Sequence, residues 1–217
     1  MGLALGNFFE QDAALWAWIV VLTIVTAVVT YVMIRLLPMP ALAAPFIVTF
    51  WVFWPIAESV GLTKLQFPPF LDAQVFFLRA TFSAMGAALF AGTVVAGVLF
   101  FVGVLVSNWR HAVLALVAAM IAHAVALWWN VPGEQINAGL AGFNAVLAAV
   151  AIYALVKPDI RLALLGAVVA SAILPVFGEL GLVSLAAGFV TVTWLIIFLG
   201  WFQEHWFNER RSSVTAP

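Results

Sequence analysis

Long runs without a charged side chain constrain this chain more than any other feature. Seven segments contain no Asp, Glu, Lys or Arg. A helix needs about 20 apolar residues to cross a bilayer core, and lipid offers a spanning backbone no hydrogen-bond partner outside a helix or a closed barrel. The runs are too long for the roughly 10-residue alternating strands of a barrel. We therefore predict an all-α, polytopic membrane protein with about seven spans, from the runs 13–34, 41–57, 80–109, 111–133, 135–156, 162–178 and 180–203.

Composition narrows the possible functions. The chain is 66% hydrophobic and 8% charged, whereas soluble domains carry about a quarter charged residues. A net charge of -1 without a basic cluster predicts no nucleic-acid partner, and the lack of cysteine excludes disulfides, thiolate metal sites and cysteine nucleophiles. The carboxylates lie in loops or at run ends, and hydrolase and phosphate-loop motifs are absent. We therefore predict no enzyme, no cofactor and no metal site.

Charge placement predicts how the chain is oriented. Arg210 and Arg211 lie in the tail 204–217, and cytoplasmic ends of membrane helices are enriched in basic residues. The prediction is a multi-pass protein of the cell inner membrane with a cytoplasmic tail, and Glu134 marks the opposite side. Tryptophans near the ends of runs, such as Trp51, are interpreted as interfacial anchors in the lipid.

The run 80–109 is too long for one simple span. Gly86, Gly92, Gly97 and Gly103 punctuate it, and interrupted hydrophobic segments are typical of half-helices beside a transport site. Close packing of helices through small residues explains the same pattern. The glycines alone leave both interpretations open.

An internal repeat is visible in two apolar segments. Residues 41–51 (ALAAPFIVTFW) and 184–194 (SLAAGFVTVTW) share five of eleven residues without a gap. Arg35 precedes the first copy and Glu179 precedes the second. Opposite charges in equivalent loops are expected when the second copy crosses the membrane in the opposite direction. We therefore predict two inverted-topology helical repeats.

The two copies differ in what precedes them. A long stretch, roughly 70–175, lies upstream of the second copy, but only forty residues lie upstream of the first. We therefore expect the first repeat to be incomplete and to lack its front. The predicted division is 1–60 for the C-terminal part of repeat one with two spans, 61–203 for repeat two with about five spans and an interrupted half-helix, and 204–217 for the tail.

Three motifs carry a resemblance to a known family. Residues 139–147 (GLAGFNAVL) resemble the G-L-x-G-[FY]-N-x-x-L signature of urea transporters. Residues 40–46 (PALAAPF) are similar to that family's L-P-x-L-T-x-P-F motif, and 86–90 (GAALF) followed by Gly97 are similar to its G-Q-V-x-F…G stretch. The resemblance extends over nearly the whole chain.

The resemblance implies two inverted repeats around a pore in each protomer, usually assembled as a homotrimer. It also implies a narrow filter with flat slots between apolar side chains and a ladder of oxygens along one wall. Threonines are missing at two positions and a Gln or Glu at a third, so backbone carbonyls must supply most of the polar contacts. By motif matching, the slot walls are Phe90, Phe143 and Leu147, the pore midpoint holds Ala43 and Ala186, and Ala87 occupies the filter position.

Polar residues within the apolar runs are further candidates. Asn144 is predicted to act as a structural clamp that bonds freed backbone near a helix break, with a direct ligand role as the alternative. Phe46 and Phe189 occupy equivalent positions in the two copies and are predicted to lie near the pore. His123 is interpreted as a neutral packing residue with satisfied hydrogen bonds, or as a proton relay or pore ligand.

These features together predict a passive channel or transporter for urea or a related small neutral amide. Urea is planar and carries four N–H donors, so a line of acceptors and two flat apolar walls would select it by shape and hydrogen bonding. One alternative is a non-transporting membrane protein, either a truncated remnant or a partner subunit. Another is a pore for water or ammonia, which the missing threonines favour.

Overall fold

The computed structural model describes residues 1–214, and within that range the side chains of all residues except 3 and 204–214. The described chain is all-helical, with a single isolated bridge between Phe9 and Lys64. The helices are α1 (Gly2–Gly6), α2 (Ala13–Leu36), α3 (Ala44–Phe53), α4 (Phe77–Ala87), α5 (Val94–Ser107), α6 (Trp109–Trp128), α7 (Gly133–Asn137), α8 (Phe143–Ala151) with a π-helical turn (Ile152–Val156), α9 (Ile160–Ala172), α10 (Leu174–Glu179) and α11 (Ala187–Val214).

Three helical segments are long and apolar enough to cross a membrane. They are α2 with 24 residues, α6 with 20, and the 20-residue segment formed by α9 and α10. Four apolar helices are shorter, namely α3, α5, α8 with its π-helical turn, and the part of α11 up to Gln203. The protein is therefore polytopic, but the expected seven spans become three full-length and four shorter ones. The 10-residue α3 rises only about 15 Å, half of the core of a bilayer.

The long run 80–109 is interrupted, as one interpretation of its glycines predicted. Helix α4 ends at Ala87, and α5 begins at Val94 after a turn in which Phe90 has a left-handed φ of 59°. The alternative interpretation, close packing of helices through small residues, applies to Gly97. A Cβ at Gly97 would overlap the backbone carbonyl of Phe82, so α4 and α5 approach closely at this position.

Two equivalent hydrogen bonds relate the two sequence copies. The indole Nε1 of Trp51 donates to the carbonyl of Val183 at 2.8 Å, and the Nε1 of Trp194 donates to the carbonyl of Pro40, also at 2.8 Å. Trp194 is 143 residues after Trp51, and Val183 is 143 residues after Pro40, so donors and acceptors are related by the same offset. Reciprocal contacts of this kind are produced by a twofold axis. The equivalence noticed in the sequence is therefore present in the contacts.

A second pair of matching contacts lies earlier in each copy. The side chain of Asp12 accepts a hydrogen bond from the backbone N–H of Leu15 at the start of α2. Asp159 accepts one from Leu162 at the start of α9 in the same way. Aspartate is a favoured residue before the first turn of a helix because it satisfies a free N–H group there. Helices α2 and α9 therefore begin with the same cap.

The main core joins both copies, since one cluster of buried apolar side chains includes Phe50 and Ala145. Helix α6 buries eight of its residues, and α8 buries six of nine. Helix α2 buries only Leu15 and Leu22, and apolar side chains cover its remaining faces. In a bilayer these faces have lipid as their solvent. Helix α11 extends into the predicted tail 204–217 as far as residue 214; residues 215–217 lie outside the described range.

Candidate functional site

A cavity of about 810 Å³ lies among the described residues. Its size is within the usual range for sites of small molecules. The residues that line it come from the start of the first copy, the break after α4, the ends of α6 and α7, and the turns around α10. None of these described lining residues is Asp, Glu, Lys, Arg or His. The cavity is therefore lined entirely by uncharged side chains.

The lining residues differ in burial. Ala87, Phe143 and Leu185 are buried, whereas Phe67 is 62% exposed and Trp129 is 52% exposed. We call the exposed part of the lining the mouth and the buried part the inner end. The inner end lies beside the break after α4 and the first turn of α8, where backbone groups are free of regular helix bonding.

Three side-chain amides and two serine hydroxyls line the cavity. Asn7, Asn130 and Gln135 are exposed or half-buried in the cavity lining. Ser171 is buried, and its hydroxyl already donates to the carbonyl of Ala167 at 3.0 Å. Ser184 is half-buried beside the buried Leu185, so the amides lie in the more exposed part of the lining and hydroxyls lie with the buried part.

An extended segment, residues 65–76, forms one edge of the mouth and is held by paired hydrogen bonds. Leu71 donates its N–H to Glu134 Oε2 at 2.7 Å, and the N–H of Glu134 donates back to the carbonyl of Leu71 at 3.2 Å. The side chain of Asn137 accepts from the N–H of Phe76 and donates to the carbonyl of Gln74. These bonds hold residues 71–76 against α7, directly after Phe70 at the mouth.

Three of the six predicted pore residues line the cavity. They are Ala87, Phe90 and Phe143. The other three are outside its lining: Leu147 packs half-buried against the main core, Ala43 precedes α3, and Ala186 is buried just before α11. Phe46, from the first copy, meets the ring of Phe90 edge-on at 5.6 Å between ring centroids. This contact joins the cavity wall to the first copy.

A known protein family matches most of the chain. The family model described as urea transporter matches residues 1–200, which include both copies and every residue that lines the cavity. The chain belongs to the urea transporter family. No curated protein sequence matches the chain. Because of this family membership, we describe the protein as a membrane protein that functions in urea transport.

Asn144 lies in the family signature and makes two buried hydrogen bonds to a different helix. Its Nδ2 donates to the carbonyl of Leu185 at 2.9 Å, and its Oδ1 accepts from the N–H of Phe189 at 2.9 Å. Phe189 is the third residue of α11, and the first N–H groups of a helix have no partner within it. The side-chain amide of Asn144, on α8, therefore caps the start of α11 and also bonds Leu185, two residues before that helix.

The two copies satisfy the starts of their equivalent helices differently. Helix α3 has Pro45 as its second residue, which removes one free N–H group, and it has no side-chain cap. Helix α11 has Gly188 at that position. A Cβ at Gly188 would lie 2.8 Å from the carbonyl oxygen of Ala170 and 3.2 Å from Asn144 Oδ1. The glycine at this position is therefore explained by the close approach of α9 and Asn144.

His123 differs from its expected state. It is fully buried and packs edge-on against Phe77, with 6.3 Å between the ring centroids. Neither ring nitrogen has a hydrogen-bond partner, so the interpretation as a satisfied packing residue is wrong in that respect. The hydroxyl of Thr193 is also buried without a partner. Most buried polar groups are paired, so these two are exceptions in the described chain.

Sequence reasoning missed the backbone geometry around the predicted pore residues. Leu42, Phe90 and Leu185 have φ angles of 50°, 59° and 41°. A left-handed conformation costs an L-residue about 1–2 kcal/mol, and such outliers concentrate at functional sites. Glycine or asparagine would have signalled these turns, but leucine and phenylalanine gave no signal. Trp51 is likewise more than a lipid anchor, since its N–H group bonds the second copy.

Proposed function

We propose that the protein is a passive pore for urea or a related small neutral amide, selected by a narrow slot of apolar side chains with backbone oxygens. The observation that carries this proposal is the uncharged cavity, which is lined by the buried Ala87 and Phe143 and by the half-buried Phe90. A neutral solute meets no fixed charge along such a wall. An ion would have to lose its hydration without a compensating charge, at a cost of many kcal/mol.

The distribution of polar groups suggests how a solute enters. Urea is strongly hydrated, and removing its hydrogen bonds without replacement costs several kcal/mol. Side-chain amides at the mouth offer the first replacements, and backbone carbonyls at the helix breaks offer the next. Flat rings and methyl groups at the inner end would then contact the two faces of a planar molecule. The role is that of a channel, with no chemical step.

The assembly and placement of the protein complete the proposal. We place it as a homotrimer in the cell inner membrane, with the tail 204–217 in the cytoplasm. The repeats are 1–60 and 61–203, a division supported by the equivalent bonds of Trp51 and Trp194. Native mass spectrometry of the purified protein would give its oligomeric state.

A pore for water or ammonia is the second candidate. It is favoured by the absence of a polar side chain at Ala43, Ala87 and Ala186, because a small solute needs fewer partners than urea does. Both candidates predict measurable permeability. They differ in whether urea passes faster than it does through lipid alone.

Shrink–swell measurements on proteoliposomes separate these functions. A urea gradient reports urea entry, and an impermeant sugar gradient reports water flow in the same vesicles. The proposed pore should make urea entry faster than in protein-free vesicles. Gln135→Trp, which adds bulk at a half-buried position in the lining, should slow urea entry, whereas the matched Gln135→Asn, which keeps a side-chain amide, should not.

Each outcome favours one function. Urea entry equal to that of protein-free vesicles refutes urea transport by this chain. If water flow is then still raised and Gln135→Trp lowers it, the chain is a water pore. If neither flow exceeds the lipid background, the non-transporting alternative is the better description.

A further inference from the structure

We propose that Trp51 and Trp194 form one symmetric latch that sets the width of the pore at its centre. This inference rests on the proposed function and names positioning residues for it. Each tryptophan lies in one of the two equivalent half-helices, α3 or α11. Each donates its indole N–H to the loop that precedes the other half-helix.

The bonds act on the loops that carry the predicted pore midpoint. Pro40 is three residues before Ala43, and Val183 is three residues before Ala186. Between acceptor and midpoint residue in each loop is a leucine with a left-handed backbone, Leu42 or Leu185. Such a conformation persists only where its surroundings enforce it. An indole bond to the start of each loop provides part of that enforcement.

The geometry couples the two loops to each other. Because each half-helix holds the loop of the other, α3 and α11 cannot move apart without lengthening both bonds. Both bonds are 2.8 Å long, and both indoles are half-buried. Trp51 additionally contacts the ring of Phe177 at 5.9 Å between centroids. A hydrogen bond between neutral groups is directional, so this arrangement fixes the spacing of the midpoint loops.

The asymmetry at the helix starts makes the latch more important for one loop. The loop before α11 is also held by Asn144, which bonds the carbonyl of Leu185. The loop before α3 has no corresponding side-chain cap. Among the described residues, the bond from Trp194 to Pro40 is the one long-range hydrogen bond made by that loop.

The test compares Trp51→Phe, Trp194→Phe and the double variant, which keep an aromatic ring but remove the N–H group. Trp128→Phe is the control, because Trp128 is 84% exposed and makes no hydrogen bond among the described contacts. The measured quantity is the ratio of urea to 1,3-dimethylurea permeability in proteoliposomes. A looser centre admits the wider solute, so each single variant should lower the ratio about 2- to 10-fold, the value of one hydrogen bond.

A latch that works as a unit also predicts the double variant. Once one bond is lost, the second constrains little, so the double variant should change the ratio by less than the product of the two single effects. An unchanged ratio in both single variants, with only lower heat stability, would overturn the inference and leave a structural role. The larger change should be in Trp194→Phe, because the loop before α3 has no side-chain cap. A change in Trp51→Phe without one in Trp194→Phe would therefore also overturn the inference.

A distance measurement keeps the inference testable if urea transport itself fails. The chain contains no cysteine, so spin labels can be placed at Val48→Cys on α3 and Leu195→Cys on α11, both exposed positions. The distribution of distances between the labels should broaden in Trp51→Phe and in Trp194→Phe, but not in Trp128→Phe. Unchanged distributions would overturn the latch, whereas broadened ones in a protein without urea permeability would overturn the proposed function alone.

Discussion

The cap that Asn144 places on α11 gives a quantitative prediction for protein stability. The side chain is fully buried and makes two hydrogen bonds of 2.9 Å. Asn144→Ala removes both bonds and leaves the N–H of Phe189 and the carbonyl of Leu185 without that partner. Hydrogen bonds between helices in membranes average about 0.6 kcal/mol, which sets a lower limit of about 1.2 kcal/mol for the pair.

The upper limit follows from the groups left behind. A buried donor or acceptor without its partner costs about 1–3 kcal/mol, so two such groups cost up to about 6 kcal/mol. We expect about 3 kcal/mol, because the loop before α11 can relax partly towards water in the cavity that Leu185 lines. Asn144→Asp should cost more than Asn144→Ala, since a carboxylate oxygen would replace the donor facing the carbonyl of Leu185 and add a buried charge.

The assay is reversible unfolding in mixed micelles with increasing dodecyl sulfate, followed by circular dichroism. The matched control is Asn108→Ala, which removes a single cap hydrogen bond of 3.0 Å at the start of α6 and should cost about 1 kcal/mol. The reasoning is refuted if Asn144→Ala costs no more than this control. It is also refuted if Asn144→Asp is more stable than Asn144→Ala.

Two paired substitutions test packing and buried polarity in the same assay. Gly97→Ala should lower the free energy of unfolding by about 3 kcal/mol or more, because its Cβ would overlap the carbonyl of Phe82. Gly103→Ala in the same helix meets open space, so it should be neutral or stabilising by up to about 1 kcal/mol. Equal effects of the two substitutions would contradict the close packing at Gly97. Thr193→Val removes a buried hydroxyl without a partner, so it should be neutral or stabilising by about 1 kcal/mol. Thr49→Val removes a hydroxyl that donates to the carbonyl of Pro45 at 2.8 Å, so it should lower the free energy of unfolding by about 1 kcal/mol. The opposite order of stabilities would contradict the view that, of these two hydroxyls, only that of Thr193 lacks a partner.

The sequence predicted the class of fold because membrane helices depend on the simplest property of a chain, the absence of charge over a long run. The repeat was also visible, since Trp51 and Trp194 stand at the same place in two similar segments. The count of spans was less accurate. A charge-free run does not show where a helix breaks, and the breaks after α4 and before α8 divide two runs into shorter helices.

The site was predicted only in part because its residues meet through tertiary contacts. Phe143 and Leu147 lie on one face of α8, but only Phe143 lines the cavity, since Leu147 packs against the core. Phe67 and Phe70 gave no signal, because an extended segment has no periodicity that would orient its side chains. The segment directly after them is held by hydrogen bonds with Glu134 and Asn137, which are more than 60 residues away in sequence.

The separation of the latch partners along the chain bears on how the protein is made. Trp51 bonds a residue 132 positions away, and Trp194 bonds one 154 positions away. Helix α2 is long enough to partition into lipid unaided during synthesis, but α3 is not. Helix α3 therefore cannot reach its final position, with both tryptophan bonds formed, until α11 has been synthesised. Biogenesis of the first copy is in this way dependent on a helix that is synthesised much later.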